Sequence, residues 1–285
     1  MFALVLVICA FAVVWHVLVC ELASRLGIVR PNFRKTPVMA SYGLIEFPYI
    51  VAATAILARF GLVATRYAVL YVSVMGAMWA LGAIDDIWGS REVGGFGGHF
   101  RKLFCERKLT TGAVKAIGGG IVSLVAAYVI CRGSAVASIP YFLLPIPFWT
   151  RVLTAAATIA LAANLLNLFD LRPGRAVAVL FAGLGVTCIV ARGRLSAWPL
   201  LVAIASIALI FGIADSRGKA MMGDAGSNSL GAALGLTIVL TAPRWMIPAI
   251  IIMAAVHMYS EKHSISALIE GNRVLRAMDR LLGVR

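Results

Sequence analysis

Residues 152–170 read VLTAAATIALAANLLNLFD: an uncharged run from Val152 to Phe169, then Asp170, with Asn164 and Asn167 in the last turns before it. A helix needs about 20 apolar residues to cross the hydrocarbon of a bilayer, so this run is close to one full span and its polar end falls where the span meets water. The pattern recurs. Asp85-Asp86 closes the run Tyr67–Ile84, and Gly223-Asp224 opens the run Ala225–Pro243. Carboxylates at that depth are expensive to keep without a function, and three such ends point to one cation site at a membrane face.

The composition fits this reading. Of the 285 residues 61% are hydrophobic and 13% charged, with a mean hydropathy of +0.95, which specifies an integral membrane protein rather than a soluble domain. Further uncharged runs cover Met1–Cys20, Ala116–Cys131, Ala176–Ala191, Leu195–Ala214 and Trp245–Ser260; Phe47–Ala58 is shorter, but Glu46 and Arg59 at its ends can snorkel. The expected fold is therefore all-α: a polytopic bundle of about nine transmembrane helices over residues 1–260, followed by a cytoplasmic amphipathic tail over 261–285. The run Gly133–Thr150 is broken by Pro140, Pro145 and Pro147 and is read as an outer-surface hairpin. With no basic stretch before Phe2 and Glu21 directly after Cys20, the first segment is expected to be a retained anchor. The five cysteines lie apart, without metal or redox spacing, and read as packing residues.

An odd number of spans puts the two ends of the chain on opposite sides. All of the 26 basic residues except Arg59, Arg66, Arg132, Arg151, Arg192, Arg194 and Arg244 fall on one set of loops. The basic side is cytoplasmic, so the N-terminus is expected outside. The net charge of +14 follows mainly from this asymmetry and from attraction to anionic headgroups. A nucleic-acid role does not suit cations divided among five short loops; a phosphate-bearing ligand at the inner face does.

The motifs lie on that face. After Asp85-Asp86 comes a glycine-rich loop with His99, then Lys115 within a turn of the next span, where its charge can meet a phosphate. Adjacent carboxylates at a helix end bind Mg²⁺, divide metal and proton between them, or are simply a solvated terminus. Asp224 precedes a small-residue segment, Gly226, Ser227, Ser229 and Gly231, suited to close helix approach; it caps that helix or ligates a metal. Asn164 and Asn167, about one turn apart, share a helix face and can donate to phosphate or sugar oxygens. In the tail, Ile265, Leu268, Ile269, Val274, Leu275, Met278, Leu281 and Leu282 recur at helical spacing between charges. That pattern reads as a basic amphipathic helix on the inner leaflet or over the active-site cleft.

In this order the chain resembles the polyprenyl-phosphate N-acetylhexosamine-1-phosphate transferases, which include the translocase that makes lipid I. The resemblance is carried by Lys35-Thr36-Pro37-Val38-Met39, Asp85-Asp86, Lys115, Asn164-x-x-Asn167-x-x-Asp170 and Gly223-Asp224-Ala225-Gly226-Ser227. It implies a multi-pass protein of the bacterial plasma membrane with a cytoplasmic active site. There a polyprenyl-phosphate oxygen attacks the β-phosphate of a UDP-amino sugar with Mg²⁺, or Mn²⁺ in its place, and UMP leaves. On that template Asp224 is the principal metal ligand, Asp85 and Asp86 hold metal, orient the lipid phosphate or accept its proton, and Asp170 belongs to the catalytic set. Lys115 would hold phosphate charge, and Lys35, Thr36, Asn164, Asn167 and His263 would bind substrate. The partners implied are polyprenyl phosphate, a nucleotide sugar and membrane lipids; homodimerisation is compatible with the sequence.

The chain departs from that family in two places. Where the family usually reads Asp-Gly-x-Asp-Gly-Leu-Ala, this chain has Asp170-Leu171-Arg172-Pro173-Gly174-Arg175-Ala176, so proline replaces the second aspartate. Arg172 and Arg175 are expected either to take over recognition of the donor phosphates or to anchor the loop to headgroups. The family's histidine-rich loop and last span are replaced by His263 and the amphipathic tail, which favours a simple N-acetylhexosamine donor over the muramoyl pentapeptide. A catalytically silent homologue that binds polyprenyl phosphate or scaffolds glycan assembly is the alternative. A transporter is disfavoured because deep polar residues, apart from His16 and His257, are sparse.

Overall fold

The computed structural model describes residues 2–25, 29–31, 37–39, 42–89, 110–133, 147–192 and 197–282. Each of the nine apolar runs is a helix: α1 (Phe2–Arg25), α2 (Gly43–Arg59), α3 (Thr65–Trp88), α4 (Thr111–Arg132), α5 (Phe148–Phe169), α6 (Arg175–Val190), α7 (Trp198–Ser216), α8 (Gly223–Thr241) and α9 (Met246–Lys262). Two short helices, α10 (Ile265–Gly271) and α11 (Arg273–Leu281), follow. Val29–Pro31 (β1) and Pro37–Met39 (β2) form a small antiparallel ladder, with Arg30 opposite Val38.

Among the described residues, α1, α3, α4, α5 and α7 are long and apolar enough to cross a membrane individually. The segments Gly223–Thr241 and Pro243–Lys262, bent by 115° at the break between them, pass only when taken together, and make a sixth if the pair is one broken span. The proline-rich hairpin lies outside the described residues, apart from Pro147 and the first turn of α5.

Helix α8 is the hub: nearly all of it is buried, and α5 and α3 are its main partners. Small residues make this packing possible. A Cβ on Gly231 would lie 2.6 Å from Ala163 Cα of α5, and one on Gly235 2.6 Å from Ile159 Cα, so the two backbones meet without side chains between them. Some polar groups pair across helices, the Tyr71 hydroxyl lying 3.0 Å from Thr237 Oγ1 and Trp79 donating to the Gly43 carbonyl at 2.9 Å, whereas both Glu46 carboxyl oxygens are buried without a partner. His16 is paired with the Tyr42 hydroxyl at 2.7 Å, which gives it a structural partner. The outer faces are apolar, with Val7, Val14 and Leu18 on α1 and Ile251 and Ile252 on α9 exposed. Such a surface suits hydrocarbon rather than water.

Candidate functional site

The chain order of the helices brings the ends of α3, α5 and α7 and the starts of α4, α6 and α8 to one end of the bundle. Lys115, in the second turn of α4, is the centre of the site. Its ammonium donates to Asp85 Oδ2 at 3.0 Å and pairs with Asp224 Oδ2. Asn167 completes the group. With its amide oriented to suit its neighbours, it donates to Asp224 Oδ1 at 2.8 Å and to Ser227 Oγ at 3.1 Å, and its oxygen accepts from Lys115 at 3.1 Å. Four residues read separately from the ends of two runs and the starts of two others therefore share one hydrogen-bonded cluster.

Asp86 plays a different part from its neighbour. Its Oδ1 accepts from the Asp224 amide at 3.0 Å and its Oδ2 from the Ala225 amide at 3.1 Å, so it caps the first turn of α8 from another helix. Gly223 makes the contact feasible: its φ is +75°, and a Cβ there would lie 2.7 Å from Asp86 Oδ2. The two adjacent carboxylates therefore differ in their partners. Asp85 faces the cation, Asp86 holds the helix end, and Asp224 is released from capping to face Lys115.

Asp170 terminates α5, its amide bonded to the Leu166 and Asn167 carbonyls. Burial pushes its carboxyl well above the usual carboxylate range, and the charges of Asp215, Asp224 and Asp86 push it further; a hydrogen bond from the Gly223 backbone opposes them. Asp215, at the end of α7, is a site-end carboxylate that the sequence reading passed over. Its Oδ2 accepts from the Gly174 amide at 2.6 Å, holding the Pro173-Gly174 turn, where Gly174 adopts φ +76°. The signal was present, since Asp215 directly follows the uncharged run that ends at Ala214.

Arg175 is engaged within the protein. Its guanidinium makes a buried fork onto Asp279, at 2.6 and 2.7 Å, with a third bond of 2.8 Å to Ser266, so it fastens α10 and α11 to the start of α6. Arg172 is half-buried in the same loop. Lys35, Thr36 and His99 lie outside the described residues.

A cavity of about 640 Å³ opens beside the cluster. Asp85, Lys115, Asn164, Asn167 and Asn228 line its polar part, and Met78, Leu81, Ile117, Leu161 and Leu168 line an apolar part. Helix α9 adds His257, Ser260 and Glu261. Among the described histidines, His257 reaches the cavity rather than His263, whose ring lies tilted 4.9 Å from that of Tyr259 and which is exposed at the helix end. His257 Nδ1 bonds to the Met253 carbonyl at 2.6 Å and so carries the proton; Nε2 is buried without a partner. Sequence reasoning treated His257 as a polar residue within a span because the side it presents depends on the packing of α9.

The chain matches no family model, and no curated protein matches it significantly. The chemistry of the cluster therefore has to be judged from its own residues. Among the described residues, no three His, Cys, Asp or Glu side chains form a group fit to hold a metal ion. A cation that arrives with its own oxygen ligands would have to displace the Lys115 ammonium, which already pairs with both carboxylates. Mg²⁺ retains water and is commonly held by one or two carboxylates plus substrate phosphates, and Asp85 and Asp224 supply two carboxylates with the Asn167 amide oxygen beside them.

Proposed function

We propose that the protein is a phosphoglycosyl transferase that moves an N-acetylhexosamine-1-phosphate from a UDP-sugar to polyprenyl phosphate. The observation that carries this reading is the Asp85–Lys115–Asp224–Asn167 cluster at the polar mouth of a largely apolar cavity. An acceptor with a phosphate head and a hydrocarbon tail matches that division of surfaces. Helices α1 to α9 are read as nine spans, with the N-terminus outside and the cluster at the cytoplasmic face of a bacterial plasma membrane, where nucleotide sugars are made.

In the reaction, an acceptor phosphate oxygen forms a bond to the β-phosphorus of the donor while the bond from that phosphorus to the bridging oxygen breaks. UMP leaves and polyprenyl diphosphate-sugar forms. Lys115 is placed to transfer its ammonium from the two carboxylates to the incoming phosphates. Asp85 then orients the acceptor, and Asn167 and Asn164 donate to phosphate or sugar oxygens. Bound Mg²⁺, held by Asp85 and Asp224, would neutralise charge on the diphosphate leaving group. Asp86 and Asp215 act by position, one fixing α8 and the other fixing the loop after Asp170.

Two observations favour a second reading, a silent homologue that binds polyprenyl phosphate or scaffolds glycan assembly. Lys115 satisfies both carboxylates that would hold the metal, and Arg175 is engaged with Asp279. Purified protein incubated with undecaprenyl phosphate, Mg²⁺ and a panel of nucleotide sugars separates the two. The transferase yields a nucleoside monophosphate and a lipid diphosphate-sugar with at least one donor, whereas binding of the lipid phosphate without either product leaves only the scaffold.

A further inference from the structure

Helix α11 carries a surface that the proposed reaction does not use. At about 100° per residue, Val274, Met278 and Leu281 form one stripe and Arg273, Arg276 and Arg280 another. The apolar stripe is open: Val274 is 68%, Met278 56% and Leu281 88% exposed. The three arginines are exposed too. Asp279 lies between the stripes and is buried against Arg175, which fixes the rotation of the helix on the bundle. Ser264 and Asn272 cap α10 and α11, with Asn272 Oδ1 accepting from the Val274 and Leu275 amides at 2.9 and 3.1 Å, so the helix is closed at its start as well as latched at its side.

From this geometry we infer that α11 lies in the plane of an anionic bilayer surface, its apolar stripe among the upper acyl chains and its arginines among the headgroups. The inference rests on the reading that this end of the bundle is at the inner membrane face. Charge complementarity selects the occupant, because an exposed apolar stripe flanked by three cations matches a leaflet containing anionic lipid. A second copy of the chain fits poorly. A nine-residue helix, about 14 Å long, presents too small a face to bury the roughly 800 Å² per partner of a stable dimer contact, and a symmetric pairing would bring the two sets of arginines together. The lipid-facing surface also continues onto the tail, since Ile251 and Ile252 on α9 and Leu268 on α10 are exposed apolar residues. Through Asp279 and Arg175, the seated helix would hold the Asp170–Arg175 loop in place at the site.

A photoreactive benzophenone side chain at position 278 of the full-length protein in its native membrane tests this, with the same probe at 252 on α9 and at 276 on the basic stripe. The expected result is phospholipid adducts at 278 and 252, and several-fold fewer at 276. In reconstituted vesicles, the yield at 278 should fall several-fold when phosphatidylglycerol is replaced by phosphatidylcholine, and this dependence should weaken after R273Q, R276Q and R280Q together. A covalent dimer at 278, or adducts at 252 without adducts at 278, would overturn the inference and leave the membrane reading intact. Absence of lipid adducts at both positions would overturn the membrane reading and this inference with it.

Discussion

Lys115 is the residue on which the site depends, because its one positive charge separates two carboxylates that would otherwise repel. In Lys115→Met, Asp85 and Asp224 face each other without a cation. Added Mg²⁺ should then raise the melting temperature of this variant by more than it raises that of the wild type, since the ion binds the folded site and no longer competes with an ammonium. Equal Mg²⁺ shifts in the two proteins would show that these carboxylates are not a divalent-cation site. Turnover in Lys115→Met should fall as the phosphate-binding charge is lost, and Lys115→Arg should retain part of it.

At the scale of the element, the cap that α3 supplies to α8 and the latch that α6 supplies to α11 make separable claims. Asp86→Ala removes the acceptor for two first-turn amides and should cost about 1–2 kcal/mol, whereas Asp86→Asn, which keeps one acceptor, should cost less. Thermal unfolding in detergent measures both; no loss of stability in either variant, with activity abolished in both, would mark Asp86 as a ligand rather than a cap. Asp279→Ala leaves the Arg175 guanidinium buried and unpaired, a loss of about 3–5 kcal/mol. The double variant Arg175→Met, Asp279→Leu should recover most of it. A single variant as stable as the wild type would contradict the latch.

The elements were legible because a long uncharged run has few ways to satisfy its backbone except as a helix. The ends were less so: Thr65, Trp88 and Phe148 fall beyond the runs, since helices continue through flanking residues that a charge count excludes. At the site, Asp85, Lys115, Asn167 and Asp224 could be found because each interrupts or borders an apolar run. His257 could not, because a histidine within a run has no meaning until the neighbours of its helix face are known. Arg175 was misread for a related reason: its partner Asp279 lies 104 residues away, and nothing near it in the chain shows that its charge is already matched.

For the molecule as a whole, the placement of the ends follows from the number of spans. Under the proposed nine spans the two ends lie on opposite sides, with the N-terminus outside. An epitope tag before Met1 should be accessible in intact cells, while one after Arg285 should become accessible only after permeabilisation; two tags on the same side would reduce the spans to an even number. The central claim is that the cluster at the inner end transfers a sugar phosphate. UMP release from UDP-N-acetylhexosamine in the presence of undecaprenyl phosphate and Mg²⁺, by the purified wild type and by Asp224→Asn, tests it most directly. The account predicts UMP from the wild type and a loss of about 10²-fold or more in the variant, which should still elute as a folded protein. Turnover of Asp224→Asn near the wild-type rate would contradict it.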